Sequence, residues 1–199
     1  MRDLLRLVAA GVVAVGVLLV ALRVLAPEPP AAAAGAHQDA VAPATDADVE
    51  TLRARGLLFP VEGASLSALR DTFNEGRVGH LHEAADVLAP RGTRVLAVDD
   101  GKIAKLFTSV RGGLTVYQFD ADQTYCYYYA HLDRYADGLE EGAPVRRGAL
   151  VGYVGTTGNA PKNTPHLHFA VFKLGPDRHW WEGAPINPFG LWPPLGRSR

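Results

Sequence analysis

The sequence predicts a mainly β protein, folded as a compact antiparallel sheet or sandwich, over residues 57–192. Two observations lead to this fold class. The apolar runs of this region are short and end at turn residues: TRVLAV ends at DDG (residues 99–101), and KIAKLFTSV ends at RGG (residues 111–113). The region also lacks the sustained 3.6-residue apolar period of a helix. Strands of this length at this spacing are typical of consecutive antiparallel hairpins.

The composition limits the classes of protein that the chain can belong to. Its 199 residues are 48% hydrophobic and 21% charged, which is the balance of one globular domain with an appendage. The formal net charge is −1, so the basic excess of a nucleic-acid-binding protein is missing, and we expect no nucleic-acid partner. The single cysteine, Cys126, excludes an internal disulfide and a cysteine-rich zinc cage. Any bound metal must therefore be held by histidines and carboxylates.

Residues 1–26 are predicted to form a transmembrane anchor. The apolar run over residues 7–22 is unbroken; Arg2 and Arg6 precede it, and Arg23 ends it. The run exceeds the roughly 7–15 residues of a signal-peptide core and approaches the roughly 20 residues of a spanning helix. The arginine distribution favours an N-terminus on the inner side of the membrane. The sequence therefore predicts a single-pass protein whose remaining chain is extracytoplasmic.

Residues 27–44 form a Pro/Ala-rich tether, a composition that is typical of extended spacers. The small residues AAAAGA at 31–36 are acceptable to a signal peptidase. A cleaved signal peptide, which would release the protein, is therefore the alternative to an anchor.

Residues 45–56 predict a short helix between the tether and the β region. Thr45 followed by Asp48 resembles a capping box, and Gly56 fits the C-terminal stop of a helix. At the other end of the chain, residues 193–199 are predicted to be a flexible tail.

Four of the seven histidines occur in two His-Leu-His triplets, at residues 80–82 and 166–168. Residues i and i+2 of a strand share a face. His166 and His168 can therefore face one site if PHLHFAV is extended, and Leu167 then points into the core.

The first triplet is followed by an aspartate, in the order His82-Glu83-Ala84-Ala85-Asp86. The spacing between His82 and Asp86 aligns the two residues on a helix or on a strand. Because strand-and-turn sequence follows, we predict an extended conformation. Glu83 would then face away from both residues, so we assign it no catalytic role, although HEAAD superficially resembles the His-Glu-x-x-His helix of zincin proteases.

Histidine nitrogens and a carboxylate are suitable zinc ligands, and two histidines with one aspartate leave a fourth position for water. Histidines that do not bind the metal suit proton transfer at neutral pH. His131, at the end of the aromatic run TYCYYYAHL, is a third source of such a group. Spacing alone leaves open whether His80 or His82 is a ligand, and which of His166 and His168 contacts the metal.

These motifs resemble the lysostaphin/LytM-type zinc endopeptidases of bacterial cell walls. The resemblance covers residues 69–192 and includes, in order, His-x-x-x-Asp, an isolated Ala-His-Leu, the Gly-rich turn GYVGTTGN and His-x-His. It implies that residues 57–192 are a metallopeptidase domain of the LytM fold, with a groove over one Zn²⁺ per chain. The ligands that it implies are His82, Asp86 and His168, and the catalytic residues are His131 and His166.

The resemblance also implies a function and a location. We expect hydrolysis of peptide bonds in peptidoglycan stem peptides or cross-links by metal-activated water. The anchored protein would lie in the bacterial inner membrane with its catalytic domain in the periplasm, where a regulatory protein partner is possible. Two alternatives remain: a non-catalytic wall-binding regulator, and a zinc peptidase for another extracytoplasmic protein.

The sequence departs from the family pattern at two positions. Ala84 stands where the family usually has glycine, which adds a methyl group beside the metal loop but removes no ligand. His80 has no family counterpart, and we interpret it as a groove-side or structural histidine.

Several other residues are predicted to have structural roles. The tyrosines at 125, 127, 128 and 129 are expected to pack on the sheet, and those on the face of His131 could line the groove. Cys126 alternates away from His131 along the strand and is expected in the core. His179, Trp180 and Trp181 are expected in a loop folded over the sheet, with a substrate rim as the alternative.

Overall fold

The computed structural model describes residues 41–77 and 79–192, and within them the chain is mainly β. The secondary structure of this part consists of one helix, α1 (Asp46–Arg55), two 3₁₀ turns (Leu66–Ala68 and Pro188–Leu191) and twelve strands. The strands are β1 (Leu69–Arg70), β2 (Gly76–Arg77), β3 (His80–Leu81), β4 (Ala85–Leu88), β5 (Arg94–Leu96), β6 (Gly101–Ser109), β7 (Gly113–Asp120), β8 (Tyr125–Tyr135), β9 (Pro144–Val145), β10 (Leu150–Val154), β11 (His166–Leu174) and β12 (Gly183–Ile186).

The predicted anchor (residues 1–26) and tail (residues 193–199) lie outside the described residues, as does most of the tether (residues 27–44). The helix that the structure does describe is too short and too polar to cross a membrane.

Ten of these strands form one sheet in which neighbouring strands are antiparallel, which confirms the predicted fold class. The order along the sheet is β1-β4-β11-β8-β7-β6-β9; in addition, β10 pairs with β5 and β8, and β12 pairs with β11. Strands β2 and β3 form a separate hairpin. The long strand β11 therefore lies between β4 and β8.

The two faces of the sheet carry different side chains, as the alternation along β11 shows. Leu167, Phe169 and Val171 have no exposed surface and belong to the main hydrophobic core. Tyr125, Tyr127 and Tyr129 of β8 and Leu52 of α1 belong to the same core. A second, smaller cluster lies on the opposite face and consists of Phe119, Cys126 and Leu174, with Ala104, Tyr117, Phe172 and Trp180 packed against it.

Helix α1 packs on the core face of the sheet. It lies between Thr45 and a left-handed Gly56, as the sequence indicates. The Asp48 carboxylate accepts hydrogen bonds from the Thr45 N–H (2.8 Å), the Tyr125 hydroxyl (2.9 Å) and the Lys173 ammonium (3.1 Å). These contacts hold the start of α1 against β8 and β11.

The far end of α1 is held by a second group of charges. The Arg55 guanidinium is 2.8 Å from the Asp120 carboxylate and 3.3 Å from that of Asp99. The Tyr127 hydroxyl donates a hydrogen bond to Asp99. Because both ends of α1 contact groups on the core face, the helix lies behind the sheet and does not cover the opposite face.

We expect Asp48→Asn to lower the free energy of unfolding by about 2 kcal/mol at pH 7, because it weakens a helix cap and charge-assisted bonds to a buried acceptor. Burial by itself would raise the pKa of Asp48, but hydrogen bonds from Thr45, Lys173 and Tyr125 outweigh it and lower the pKa from 3.8 to about 2. The carboxylate therefore stabilises the fold fully above pH 3.8, and this contribution is lost as the pH falls towards 2.

Urea denaturation of both proteins at pH 7 and at pH 3 measures this contribution. The difference between them should be smaller at pH 3. Glu50→Gln is the matched control on the same helix, since the Glu50 side chain is 68% exposed and its ion pair with Arg53 contributes little. Equal stabilities of wild type and Asp48→Asn at pH 7 would contradict the assignment.

Candidate metal centre and active site

The pairing of β11 with β4 brings His168 and Asp86 together. The two residues are direct partners in the ladder, and on the other side of β11 His168 pairs with Ala130 of β8. His166 lies two residues before His168, opposite Leu88. The extended conformation predicted for the second triplet is therefore confirmed, with both histidines on the face opposite Leu167.

The conformation predicted for the first triplet is wrong at Glu83. His82 and Glu83 lie between β3 and β4, and Glu83 has a φ of 54°, in the left-handed region. The His82 N–H donates to the Glu75 carbonyl and the Glu83 N–H to the Phe73 carbonyl, each at 2.9 Å. The turn at Glu83 therefore brings the His82 side chain next to that of Asp86. In an extended chain the two side chains would share a face without this contact.

Three side-chain atoms converge at this point. The distance is 3.0 Å from His82 Nε2 to His168 Nδ1, 3.4 Å from His82 Nε2 to Asp86 Oδ1, and 3.3 Å from His168 Nδ1 to Asp86 Oδ1. A tetrahedral zinc ion with bonds of about 2.0–2.1 Å holds its ligand atoms about 3.3 Å apart. Among the described residues, only these three form such a His/Asp/Glu/Cys group. The donor set and its spacing fit a zinc ion.

The electrostatics of this group also suit a cation. Burial would raise the pKa of Asp86, but hydrogen bonds from His168 and His82 outweigh it, so the pKa lies well below its usual range. Burial lowers the pKa of His168. The carboxylate is therefore ionised and the His168 imidazole is neutral, the forms in which these groups bind a metal.

A bulge in β8 brings His131 to the same face. The β7–β8 register passes from Val116↔Tyr129 to Leu114↔Leu132, so β8 has one extra residue at this point. His131 has a φ of 60°, and its N–H donates to the Gly112 carbonyl at 2.8 Å. Regular alternation would have placed His131 with Tyr129 in the core; the bulge places it beside the metal group instead.

The position of His131 beside the other histidines follows from this bulge. Its ring centroid is 5.0 Å from that of His166 and 5.6 Å from that of His168.

The prediction that Cys126 faces away from His131 assumed unbroken alternation and is wrong, since Cys126 pairs with Phe172 on the face that carries His168. The prediction that Cys126 is buried is confirmed, because the second apolar cluster covers it completely.

His131 and His166 present the same ring nitrogen to the site. His131 Nδ1 is 2.9 Å from the Thr157 carbonyl, and His166 Nδ1 is 2.9 Å from the Thr164 carbonyl. Since a carbonyl can only accept, Nδ1 carries the hydrogen in each neutral ring and Nε2 has the free lone pair. His166 Nε2 is 3.9 Å from Asp86 Oδ1. These partners are not predictable from the sequence, because a backbone carbonyl leaves no residue-type signal.

His131 is neutral at physiological pH. Burial, followed by unfavourable electrostatic interactions with the neighbouring His168 and His166, lowers the pKa of His131 to about 4. A neutral imidazole with a free Nε2 can accept a proton from water near pH 7.

His80, Glu83 and Ala84 lie close in the sequence to the ligand residues His82 and Asp86. The His80 side chain lies outside the part of the chain that the structure describes, so its predicted groove-side or structural role stays a prediction. Glu83 is not among the three residues whose ligand atoms converge. Ala84 is completely buried, immediately before β4.

An aromatic strip extends from the metal group across the sheet and consists of Tyr128, Tyr117, Trp180 and Trp181. The Tyr128 ring lies 5.9 Å from that of His168 and 4.6 Å from that of Tyr117. Tyr128 and Tyr117 are half-buried.

The loop between β11 and β12 completes the strip. Trp180 lies over the sheet, 4.7 Å from the Tyr117 ring, as the predicted folded loop requires. Trp181 is 51% exposed, and its ring is stacked on that of His179 at 4.6 Å. This end of the strip is therefore open to solvent.

Comparison with known proteins identifies the class. The profile of Peptidase family M23 matches residues 80–188, more than half of the chain, and the chain belongs to this family. The matched region contains all five predicted site residues. The resemblance to the lysostaphin/LytM group is thereby confirmed.

Three relatives show how far the similarity extends. The chain is 29% identical over 130 residues to the L-Ala–D-Glu endopeptidase of Bacillus subtilis, covering 61% of this chain and 40% of that protein. It is 33% identical over 92 residues to the glycyl-glycine endopeptidase ALE-1 of Staphylococcus capitis, covering 46% and 24%. The crystal structure of Helicobacter pylori Csd3 superposes with a TM-score of 0.52 at 28% identity, covering 68% and 32%. The chain spans less than half the length of each of these proteins.

Proposed function

We propose that this chain is a zinc-dependent endopeptidase that hydrolyses peptide bonds in peptidoglycan stem peptides or cross-links. The observation that carries the proposal is the convergence of His82, Asp86 and His168 within 3.4 Å, with the rings of two further histidines beside them. Two relatives of the chain are named as an L-Ala–D-Glu endopeptidase and a glycyl-glycine endopeptidase. The site retains a complete donor set, which a non-catalytic regulator would not need.

The residues of the chain divide the chemistry between them. His82, Asp86 and His168 would hold the ion, which when bound supplies Lewis-acid activation of water and of the peptide carbonyl. The Nδ1 atoms of His131 and His166 each contact a backbone carbonyl, which leaves Nε2 of one of these rings to accept the proton of the attacking water. The same proton can then pass to the leaving amine, which completes the hydrolysis without a net change in either ring.

The aromatic strip provides a surface for the substrate next to this chemistry. Tyr128 and Tyr117 are half-buried and lie between the metal group and the exposed Trp181. An elongated peptide bound along the strip would bury apolar area and leave its carbonyl beside His168.

The location of the protein belongs to the same proposal. The apolar run of residues 7–22 and its flanking arginines support a single-pass inner-membrane anchor, with the catalytic domain in the periplasm, where peptidoglycan lies. Release after signal cleavage is the alternative. A regulatory partner that controls access to the site fits either arrangement.

The zinc content of the protein tests the proposed metal group. Purified full-length protein, in mild detergent, should contain about one zinc per chain by elemental mass spectrometry, because three buried or half-buried ligands are preformed. His82→Ala and His168→Ala should each lose most of it. His179→Ala is the matched control, since His179 lies on the loop between β11 and β12 and is not among the three converging residues. Full zinc retention by both ligand variants would rule out this site.

Hydrolysis of peptidoglycan tests the roles of His131 and His166. Zinc-loaded protein should release new peptide ends from purified sacculi, detected by mass spectrometry of the soluble fragments. His131→Ala and His166→Ala should keep their zinc but lose about 100-fold or more of the rate, the usual contribution of a general acid or base. Normal rates in both variants would refute the assigned roles.

The same digestion separates the alternatives. No products from folded, zinc-loaded wild type would favour a regulator or an enzyme gated by a partner. Cleavage of a glycine-rich peptide without cleavage of sacculi would favour a different extracytoplasmic substrate.

Substitution of Trp181 tests the role of the aromatic strip. Trp181→Ala should raise KM several-fold with little change in kcat, because Trp181 contacts substrate away from the scissile bond. Phe189→Ala is the matched control: Phe189 is 44% exposed and lies in the 3₁₀ turn that packs beside α1, behind the sheet. Equal KM values for wild type and Trp181→Ala would exclude the strip from substrate binding.

A further inference from the structure

The Thr157 hydroxyl occupies a gap in the ladder between β7 and β8. Leu114 and Leu132 are register partners at the bulge. The Leu114 N–H donates to Thr157 Oγ1 at 3.0 Å, and Thr157 Oγ1 donates to the Leu132 carbonyl at 2.7 Å. A side chain from the β10–β11 loop therefore bridges two backbone groups that a regular ladder would join directly.

The same residue contacts His131 through its backbone. The Thr157 carbonyl accepts the hydrogen of His131 Nδ1 at 2.9 Å. His131 is the residue immediately before Leu132. Thr157 thus binds two adjacent residues of the bulge. Its hydroxyl binds the main chain of Leu132, and its carbonyl binds the ring of His131.

Glycines on both sides make this arrangement tight. Gly113 has a φ of 64°, and a Cβ there would collide with the Thr157 hydroxyl. Gly158 has a φ of 69°, and a Cβ there would collide with the Arg111 carbonyl. The Asn159 N–H donates to the same carbonyl at 3.0 Å. The β6–β7 turn and the β10–β11 loop therefore interlock closely and leave Thr157 little freedom.

We infer that Thr157 is a positioning residue for His131. Its hydroxyl is fixed by the two ladder groups, and this fixes the direction of its own carbonyl. The carbonyl then holds the His131 ring in the Nδ1–H tautomer, with Nε2 free to accept a proton. The consequence for catalysis rests on the proposed peptidase function; the consequence for the tautomer does not.

The kinetic test uses Thr157→Val, which keeps the shape of the side chain and removes the hydroxyl. In full-length, zinc-loaded protein, kcat on peptidoglycan should fall about 10- to 100-fold, the cost of misplacing a catalytic group by a fraction of an ångström to 1 Å. KM and zinc content should stay within twofold of wild type. Thr157→Ser should restore most of kcat, because it restores the hydroxyl. Thr156→Val is the matched control from the same loop and should keep wild-type kcat.

The second test reads the tautomer directly and does not require activity. ¹⁵N NMR of the imidazole should show a hydrogen on Nδ1 of His131 in wild type and in Thr157→Ser, and a mixture of tautomers in Thr157→Val. If the valine variant fails to fold, Thr157→Ala removes the same hydroxyl with less bulk against Gly113 and gives the same readout.

The outcomes separate this inference from the proposed function. An unchanged His131 tautomer in folded Thr157→Val or Thr157→Ala overturns the inference, whatever the activity. A kcat loss that serine does not restore also overturns it, since the hydroxyl would then not be responsible. Wild type that cuts no wall substrate would refute the proposed function, while the NMR result would still decide the role of Thr157.

Discussion

Strand β11 is hydrogen-bonded to β4 on one side and to β8 on the other, and these two ladders determine the distances within the site. The β4 ladder places Asp86 opposite His168, and the β8 ladder places Ala130 opposite the same residue. The alternate residues of β11, among them Leu167 and Phe169, are completely buried on the core face. A slip of one residue in either ladder would exchange core and site residues, so the apolar face holds the ligand geometry in register.

The regular ladders do not position every site residue. His82 depends on a left-handed backbone conformation at the adjacent Glu83, and His131 on one at its own position. Glu83 and His131 have φ values of 54° and 60°, which non-glycine residues adopt at a cost of about 1–3 kcal/mol when the site is strained. Each conformation is held by backbone hydrogen bonds: from the His82 and Glu83 N–H groups in one case and from the His131 N–H in the other. The regular sheet positions Asp86 and His168. The turn at Glu83 and the bulge at His131 then direct His82 and His131 towards them.

The sequence predicted the parts of the molecule that depend on local patterns. The alternation around His166 and His168 is visible in the residues themselves, and so are the caps of α1 at Thr45 and Gly56. The turn at Glu83 and the bulge at His131 were not predictable in this way, because neither position is a glycine and each is held by backbone carbonyls of another segment, those of Phe73 and Glu75 in one case and that of Gly112 in the other. The wrong face for Cys126 followed directly from the missed bulge. The packing of α1 behind the sheet was also not predictable, since the contacts of Asp48 with Tyr125 and Lys173 join residues that are far apart in the sequence.

The entry point of the chain into the domain has a consequence for how the site is reached. Val41 lies beside Gly175, just beyond the end of β11, whereas His168 lies near the start of that strand. Seven residues of extended chain separate the two ends, roughly 23 Å at the rise of a strand. The first described residues are therefore offset from the metal group by about the length of β11. Because Val41 lies beside Gly175 and Ala44 packs on the main core, the described residues ahead of α1 leave the His168 end of the domain uncovered.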